Sequence, residues 1–420
     1  MIRAAGNTQL SLFLIHLVLI AVASTLVAEA QAPPGAPAAT PRAYPDFALQ
    51  AAPINTSPGP EYGSSTRVYQ GVPGIERTAS GRMWAVWTGG GTAEGPLNYV
   101  LLVTSGDDGS SWSQPRLVID PPGNVLAWDS FLWIDPFGRL WLFWTQAYGR
   151  WDGRGGVWTI VSDNPDMEQP TWSTPRRLSD GMVQNKPTVL STGEWLLPVW
   201  FWPSPCDLAT YNDRLQLGLT AEFVKSQCHD SGDPPGSMVY RSADQGKTWA
   251  LLGAAQVQDA GIDEHMIVER RDGSLWMLVR TFYGIGQAVS TDRGKSWGQT
   301  GPSGIRHPWS RFFIRRLKSG RLMMVRHNPP SIGVRSHLTA YLSDDDGRSW
   351  LGGLLLDERS GVSYPDGVEA ANGRIYVIYD YGRTTEAEIL MATFGEEDIQ
   401  QGACVTADCR LKLLVNKAGP

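Results

Sequence analysis

Short apolar runs, each led by a glycine, set the rhythm of this sequence. Gly81 precedes Met83-Trp84-Ala85-Val86-Trp87, and Gly138 precedes Leu140-Trp141-Leu142-Phe143-Trp144. Four more follow Gly193, Gly273, Gly320 and Gly373, the last leading Ile375-Tyr376-Val377-Ile378-Tyr379. Aromatic and β-branched runs of this length, bounded by turn residues, read as strands. The six glycines are 57, 55, 80, 47 and 53 residues apart, and a period of about 50 is what propeller blades of four short strands require. The long interval holds an insertion at roughly 202–236.

A polar octet punctuates the same period. It occurs at 105–112, 242–249, 290–297 and 343–350, each time as Ser-x-Asp-x-Gly-x-Ser/Thr-Trp. The Asp and hydroxyl side chains hydrogen-bond the turn's own amides, the Gly takes a positive φ, and the Trp folds back onto the sheet. An altered copy runs from Ser162 to Trp172, with Pro165 and extra residues interrupting it. A β-sandwich would share the short strands but has no motif recurring at one place in each unit. The fold class is therefore all-β, a six-bladed β-propeller with Asp-box turns.

The ends read differently. Arg3, the apolar run 10–27 and Ala28-Glu29-Ala30 form a signal-peptide pattern over residues 1–30, which predicts a secreted chain. The run is also long enough for an uncleaved anchor, since about 20 apolar residues span a bilayer. A Pro/Ala-rich linker is expected over 31–60 and the propeller over 61–420. Asn55-Thr56-Ser57 is a glycosylation sequon within that linker.

Charge and cysteines narrow the class. The net charge of −6 comes without a basic stripe, which argues against a nucleic-acid partner. The four cysteines fall as two local pairs, Cys206 with Cys228 and Cys404 with Cys409, which predicts two loop staples in an exported chain. Zinc is the competing reading, but His229 is isolated and no Cys-x-x-Cys occurs. Gly89-Gly90-Gly91 lacks the lysine and helix of a phosphate loop, and Asp344-Asp345-Asp346 reads as turn chemistry rather than a calcium site. No metal or cofactor is expected.

Propeller topology gathers strand starts and strand ends at one mouth. The starts bring Gly71, Asp129, Asn185, Lys186, Glu264, His265 and Arg311, and the ends bring Gln146, Arg280, Arg326, His327 and Tyr381. Planar guanidinium groups suit a carboxylate ligand. The alternative is a closed network of internal ion pairs.

The Asp-box tips and six blades resemble the sialidase (neuraminidase) superfamily over about residues 61–400. The segment from Asp263-Glu264-His265 through Gly273 to Arg280 is similar to one that carries a glutamate at a strand start and a clamp arginine at the next strand's end. Arg335, in a segment running into an Asp box, matches a second clamp arginine, and Ser363-Tyr364-Pro365-Asp366 lies where the family places its nucleophilic tyrosine. The resemblance implies exo-hydrolysis of a terminal acidic sugar, with Tyr364 as nucleophile, Glu264 as its base and a glycan as partner. Two places depart. The family's Arg-Ile-Pro reads Gly71-Val72-Pro73 here, so the first clamp arginine is missing unless Lys186, Arg311 or Arg326 replaces it. Its acid aspartate has as counterpart only Glu94. Asp366, Tyr381, His265 and His327 complete the expected substrate contacts. A uronate lyase using His265 or His327 and a tyrosine as base and acid, or another glycosidase on this fold, is the first alternative. A glycan-binding propeller without catalysis is the second.

Overall fold

The computed structural model describes residues 47–419, apart from 150, 151, 154, 202–205, 207, 229–235 and 332. The expected leader, the linker as far as residue 46, and His229 lie outside the described residues. Each blade starts from an inner strand and adds antiparallel neighbours outward in chain order. The inner strands are Gln70–Arg77, Val125–Ile134, Thr188–Val189, Met266–Glu269, Phe313–Arg316 and Val362–Glu369. Those of blades 3 to 6 touch in succession, blade 6 touches blade 1, and blade 1 touches blade 2. Blades 2 and 3 meet through Phe131, Trp133, Trp195 and Leu197. The chain is a six-bladed β-propeller.

The second strands of blades 1 to 4, Met83–Gly89, Leu140–Tyr148, Trp195–Phe201 and Leu275–Thr281, are buried at every position. Covered on both faces by adjoining blades, they carry the unbroken apolar runs that mark the sequence. The core is accordingly a series of clusters between neighbouring blades, such as Trp84, Leu102, Leu132 and Trp144 between the first two.

The polar octets close the third strand of four blades. Ser105 Oγ donates to Asp107 Oδ1 (2.7 Å) and accepts from Gly109 N (2.9 Å), while Ser111 N donates to the same Asp107 oxygen (2.9 Å). The same bonds recur around Asp244, Asp292 and Asp345. Side-chain bonds from Ser111, Thr248, Ser296 and Ser349 lead in holding these four carboxyls at about 2. In the altered copy, Asn164 Oδ1 takes the aspartate's place and accepts from Thr171 N at 3.0 Å. Blade 6 has instead a short helix, Glu396–Gln401. Its buried Asp398 accepts from Val405 N and Thr406 N, both at 2.8 Å, and Cys404 is bonded to Cys409 beside it.

The tips also join blades. A Cβ on Gly109 would lie 2.5 Å from Met391 of blade 6, and one on Gly246 2.5 Å from Trp141 of blade 2. At the seam between first and last blades, Asp108 accepts from Arg77, Tyr376 and Arg374.

Residues 47–60 are not linker. Gln146 Nε2 donates to the carbonyls of Phe47 and Gln50, both at 2.7 Å, Ala52 is buried in the core, and Ile54–Asn55 pairs with the outer strand of blade 1. The insertion carries helices Leu208–Leu215 and Ala221–Gln227 and the bond Cys206–Cys228. Leu208, Phe223 and Val224 pack with Phe47, Val125 and Tyr148 at the mouth end of blade 2.

The tip contacts separate backbone from packing. Gly246 and Gly193 both have left-handed φ, 83° and 87°, but a Cβ at Gly193 meets nothing within 4 Å. Gly193→Ala is expected to cost about 1 kcal/mol of unfolding free energy, the backbone share alone. Gly246→Ala is expected to cost about 2–4 kcal/mol, because Trp141 must also move. Urea unfolding of the two variants measures the difference.

Candidate active site

Nine residues before the turn glycine of every blade lies one equivalent position, filled in order by Val72, Asp129, Gln184, Glu264, Arg311 and Tyr364. Four of them have left-handed backbone, with φ of 58° at Val72, 50° at Asp129, 37° at Glu264 and 53° at Tyr364. In blades 1, 2 and 6 the pairing with the second strand shifts register here. A bulge re-aims a side chain at the end of a strand, and non-glycine residues with such φ collect at functional sites.

At the mouth, Tyr364, Glu264 and Arg280 form a closed triangle. Tyr364 Oη donates to Glu264 Oε1 (2.7 Å), and Arg280 Nη1 donates to Tyr364 Oη (3.0 Å) while lying 2.7 Å from that same Glu264 oxygen. Glu264 Oε2 is buried with no partner among the described residues. The Trp309 carbonyl accepts from Arg280 and from Arg335, and the Trp309 ring lies 4.2 Å from the Arg280 guanidinium. Two more guanidiniums face the Tyr364 ring, Arg383 at 4.1 Å and Arg335 at 5.7 Å. Burial and the charge of Glu264 push the Tyr364 phenol up to about 12, against the pull of Arg280, Arg335 and Arg383. It is a neutral phenol whose proton already points at a carboxylate.

The other side of the mouth is acidic. Glu94 Oε1 accepts from Arg383 (2.7 Å) and Tyr69 (3.2 Å). Asp129 Oδ1 accepts from Gln184 Nε2 (2.6 Å), which leaves Oδ2 without a partner among the described residues. Burial, reinforced by the charges of Glu264 and Glu94, holds the Asp129 carboxyl well above the usual carboxylate range. From the insertion, Arg214 Nη2 donates to the Glu94 carbonyl at 2.8 Å.

Six of the expected substrate contacts belong elsewhere. Lys186 Nζ is buried between Glu76 (2.6 Å) and Asp366 (3.2 Å) on the propeller axis. Arg311, although in an equivalent position, donates to Asn185 Oδ1 and to the carbonyls of Pro365 and Gln184. Asp366 accepts from Ile75 N at 2.9 Å. These three bind inner strands together. His265 Nε2 bonds the Met238 carbonyl of blade 3 (2.8 Å), while Glu264 takes the mouth. His327 lies between His307 and the Val362 carbonyl. Arg326 stacks on Tyr341 and donates to the Arg306 carbonyl. A seventh, Tyr381, lies under Arg359 at 3.8 Å. His265 and His327, the two histidines of the lyase alternative, both bond main-chain carbonyls.

Arg383 and Tyr69 are absent from the sequence-based set, and Asp129 is in it without a role. The nine-residue offset from each turn glycine finds Asp129 and Gln184. No such signal marks Arg383, which lies two residues beyond its strand, Ile375–Tyr381.

The sequence matches the BNR repeat-like domain family over residues 81–377. Among curated proteins there is no match. Among solved structures, the chain is similar to the Hadza microbial sialidase Hz136, with 17% identity over 80% of this chain and 67% of that one and a TM-score of 0.60. It is similar to the intramolecular trans-sialidase from Ruminococcus gnavus, with 14% identity, 80% and 96% coverage and a TM-score of 0.60. The alpha-L-arabinanase of Penicillium chrysogenum follows with 14% identity, 83% and 99% coverage and a TM-score of 0.53. At these identities the likeness is one of fold.

The buried histidines have a measurable consequence. Burial holds His265 and His327 down at about 4, so protons bind the unfolded chain more tightly. Their contribution is fully present above the unfolded value of about 6.5 and is lost as pH falls towards 4. Each should remove about 2 kcal/mol between pH 7.5 and 5. Urea unfolding at the two pH values should show a smaller drop in His327→Gln than in the unaltered chain.

Proposed function

This chain belongs to the BNR repeat-like domain family, and from that premise we propose that it is an exported glycoside hydrolase removing a terminal acidic sugar, of sialic-acid type, from glycans. One observation carries the reading: the Tyr364 hydroxyl is shared between Glu264 and Arg280 at 2.7 and 3.0 Å. A buried phenol held neutral is a poor nucleophile until its proton leaves. As Tyr364 Oη bonds to the anomeric carbon, the proton passes to Glu264, and the Arg280 guanidinium is already placed to stabilise charge on either oxygen. The bond to the leaving oxygen breaks as that oxygen takes a proton from the acidic side. Water then displaces the tyrosine by the reverse proton movements, with retention at the anomeric carbon. Arg280 and Arg335 bind the sugar's carboxylate. The Ala-x-Ala leader pattern and two disulfides support export.

The proton donor is Asp129. Glu94, its sequence-based candidate, is ion-paired with Arg383, whereas burial raises the Asp129 carboxyl well above the usual carboxylate range and so favours its protonated form. Glu94 then keeps the acidic side polar and fixes Arg383.

Tyr364→Phe should lower kcat on a 4-nitrophenyl sialoside on the order of 10³-fold or more, measured by release of the phenol. Wild-type protein that binds sialosides but releases nothing is a binding propeller. Asp129→Asn should lower kcat/KM on an alkyl-linked sialoside on the order of 10²- to 10⁴-fold and leave the 4-nitrophenyl substrate within about tenfold, since that leaving group needs no proton. The same pattern in Glu94→Gln instead assigns the acid to Glu94.

A further inference from the structure

We propose that Arg383 supplies a third cationic contact to the acidic group of the ligand, reaching from blade 6 into the space that a side chain at position 71 would fill. The inference rests on the acidic-sugar reading of the mouth. Gly71 has no unusual backbone requirement, yet a Cβ there would lie 2.8–2.9 Å from Cδ, Cγ and Nε of Arg383. What keeps the position bare is the stem of that arginine. Its guanidinium stacks over the Tyr364 ring at 4.1 Å, so the charge sits beside the nucleophile.

The group is fixed. Arg383 Nε donates to Asp380 Oδ2 (3.0 Å), Nη1 to Glu94 Oε1 (2.7 Å) and Nη2 to Ser363 Oγ (3.4 Å). Asp380 is itself anchored by Val72 N (2.8 Å) and Ser363 Oγ (2.6 Å). Of the five N–H groups of a guanidinium, two keep no partner among the described residues. A planar donor held from three sides and still carrying free N–H groups meets a carboxylate with little further loss of freedom. Arg280, Arg335 and Arg383 thus bring cations from blades 4, 5 and 6 to one phenol, and blade 1 contributes the gap at Gly71 and the anchoring Glu94.

The test is isothermal titration calorimetry on the full chain with N-acetylneuraminic acid and glucuronic acid as acidic probes, and N-acetylmannosamine and glucose as neutral ones. Arg383→Ala is expected to weaken whichever acidic probe the unaltered chain binds by roughly 10- to 100-fold, with a change below about twofold for neutral probes. Arg383→Lys should recover part of the loss, a point charge without the fork. Gly71→Arg with Arg383→Ala should recover most of it, since removing the stem opens the space for an arginine on blade 1. If Arg383→Ala fails to fold in thermal unfolding, Arg383→Gln carries the same comparison. Unchanged affinity for an acidic probe that the unaltered chain binds overturns the proposal and leaves the acidic-sugar reading standing. Equal loss for acidic and neutral probes also overturns it, because Arg383 then acts only as scaffold. An unaltered chain that binds neither acidic probe removes the acidic-sugar reading and this proposal with it.

Discussion

A lysine ammonium buried on the propeller axis holds this molecule's geometry. Lys186 lies between Glu76 and Asp366, Asp366 reaches the backbone of Ile75, and Arg311 ties Asn185 to Pro365 and Gln184. Burying such charges costs several kcal/mol per ion unless the partners are well placed, so the group tolerates little rearrangement. It links inner strands or their lead-ins from blades 1, 3, 5 and 6. Tyr364 is two residues from Asp366 and Gln184 two from Lys186, so a shift on the axis becomes a shift at the mouth.

Above that lattice the site sets opposing forces against one another. Burial and Glu264 disfavour the phenolate of Tyr364, and three guanidiniums favour it. The result is a proton that stays on tyrosine at rest with an acceptor 2.7 Å away. Left-handed backbone at both Tyr364 and Glu264 costs about 1–3 kcal/mol each. The surrounding blades supply enough packing to hold it.

The blades were legible because every one carries a turn glycine and four carry an Asp box, marks whose chemistry is local. Blade 6 lacks the second mark, yet Gly373 suffices to count it. Residues 47–60 misled because Pro and Ala carry no strand pattern, and their order comes from contacts with Gln146 and the edge of blade 1. Within the mouth, Glu264, Arg280, Arg335 and Tyr364 do converge. Taking every residue near a strand start or end overlooks what each side chain binds: Arg311 and Asp366 join inner strands, and His265 bonds the Met238 carbonyl. No local spacing marks Arg383, because a loop residue's reach is set by what holds it, here Asp380 and Glu94.

Equivalent positions in the six blades hold an aliphatic side chain, an aspartate, an amide, a glutamate, a guanidinium and a phenol. The blades that present them are built alike all the same. One repeated position thus serves both ends, since Arg311 ties inner strands together while Tyr364 and Glu264 face the mouth. A single exchange at this position therefore alters the rim in one blade and the frame beneath it in another.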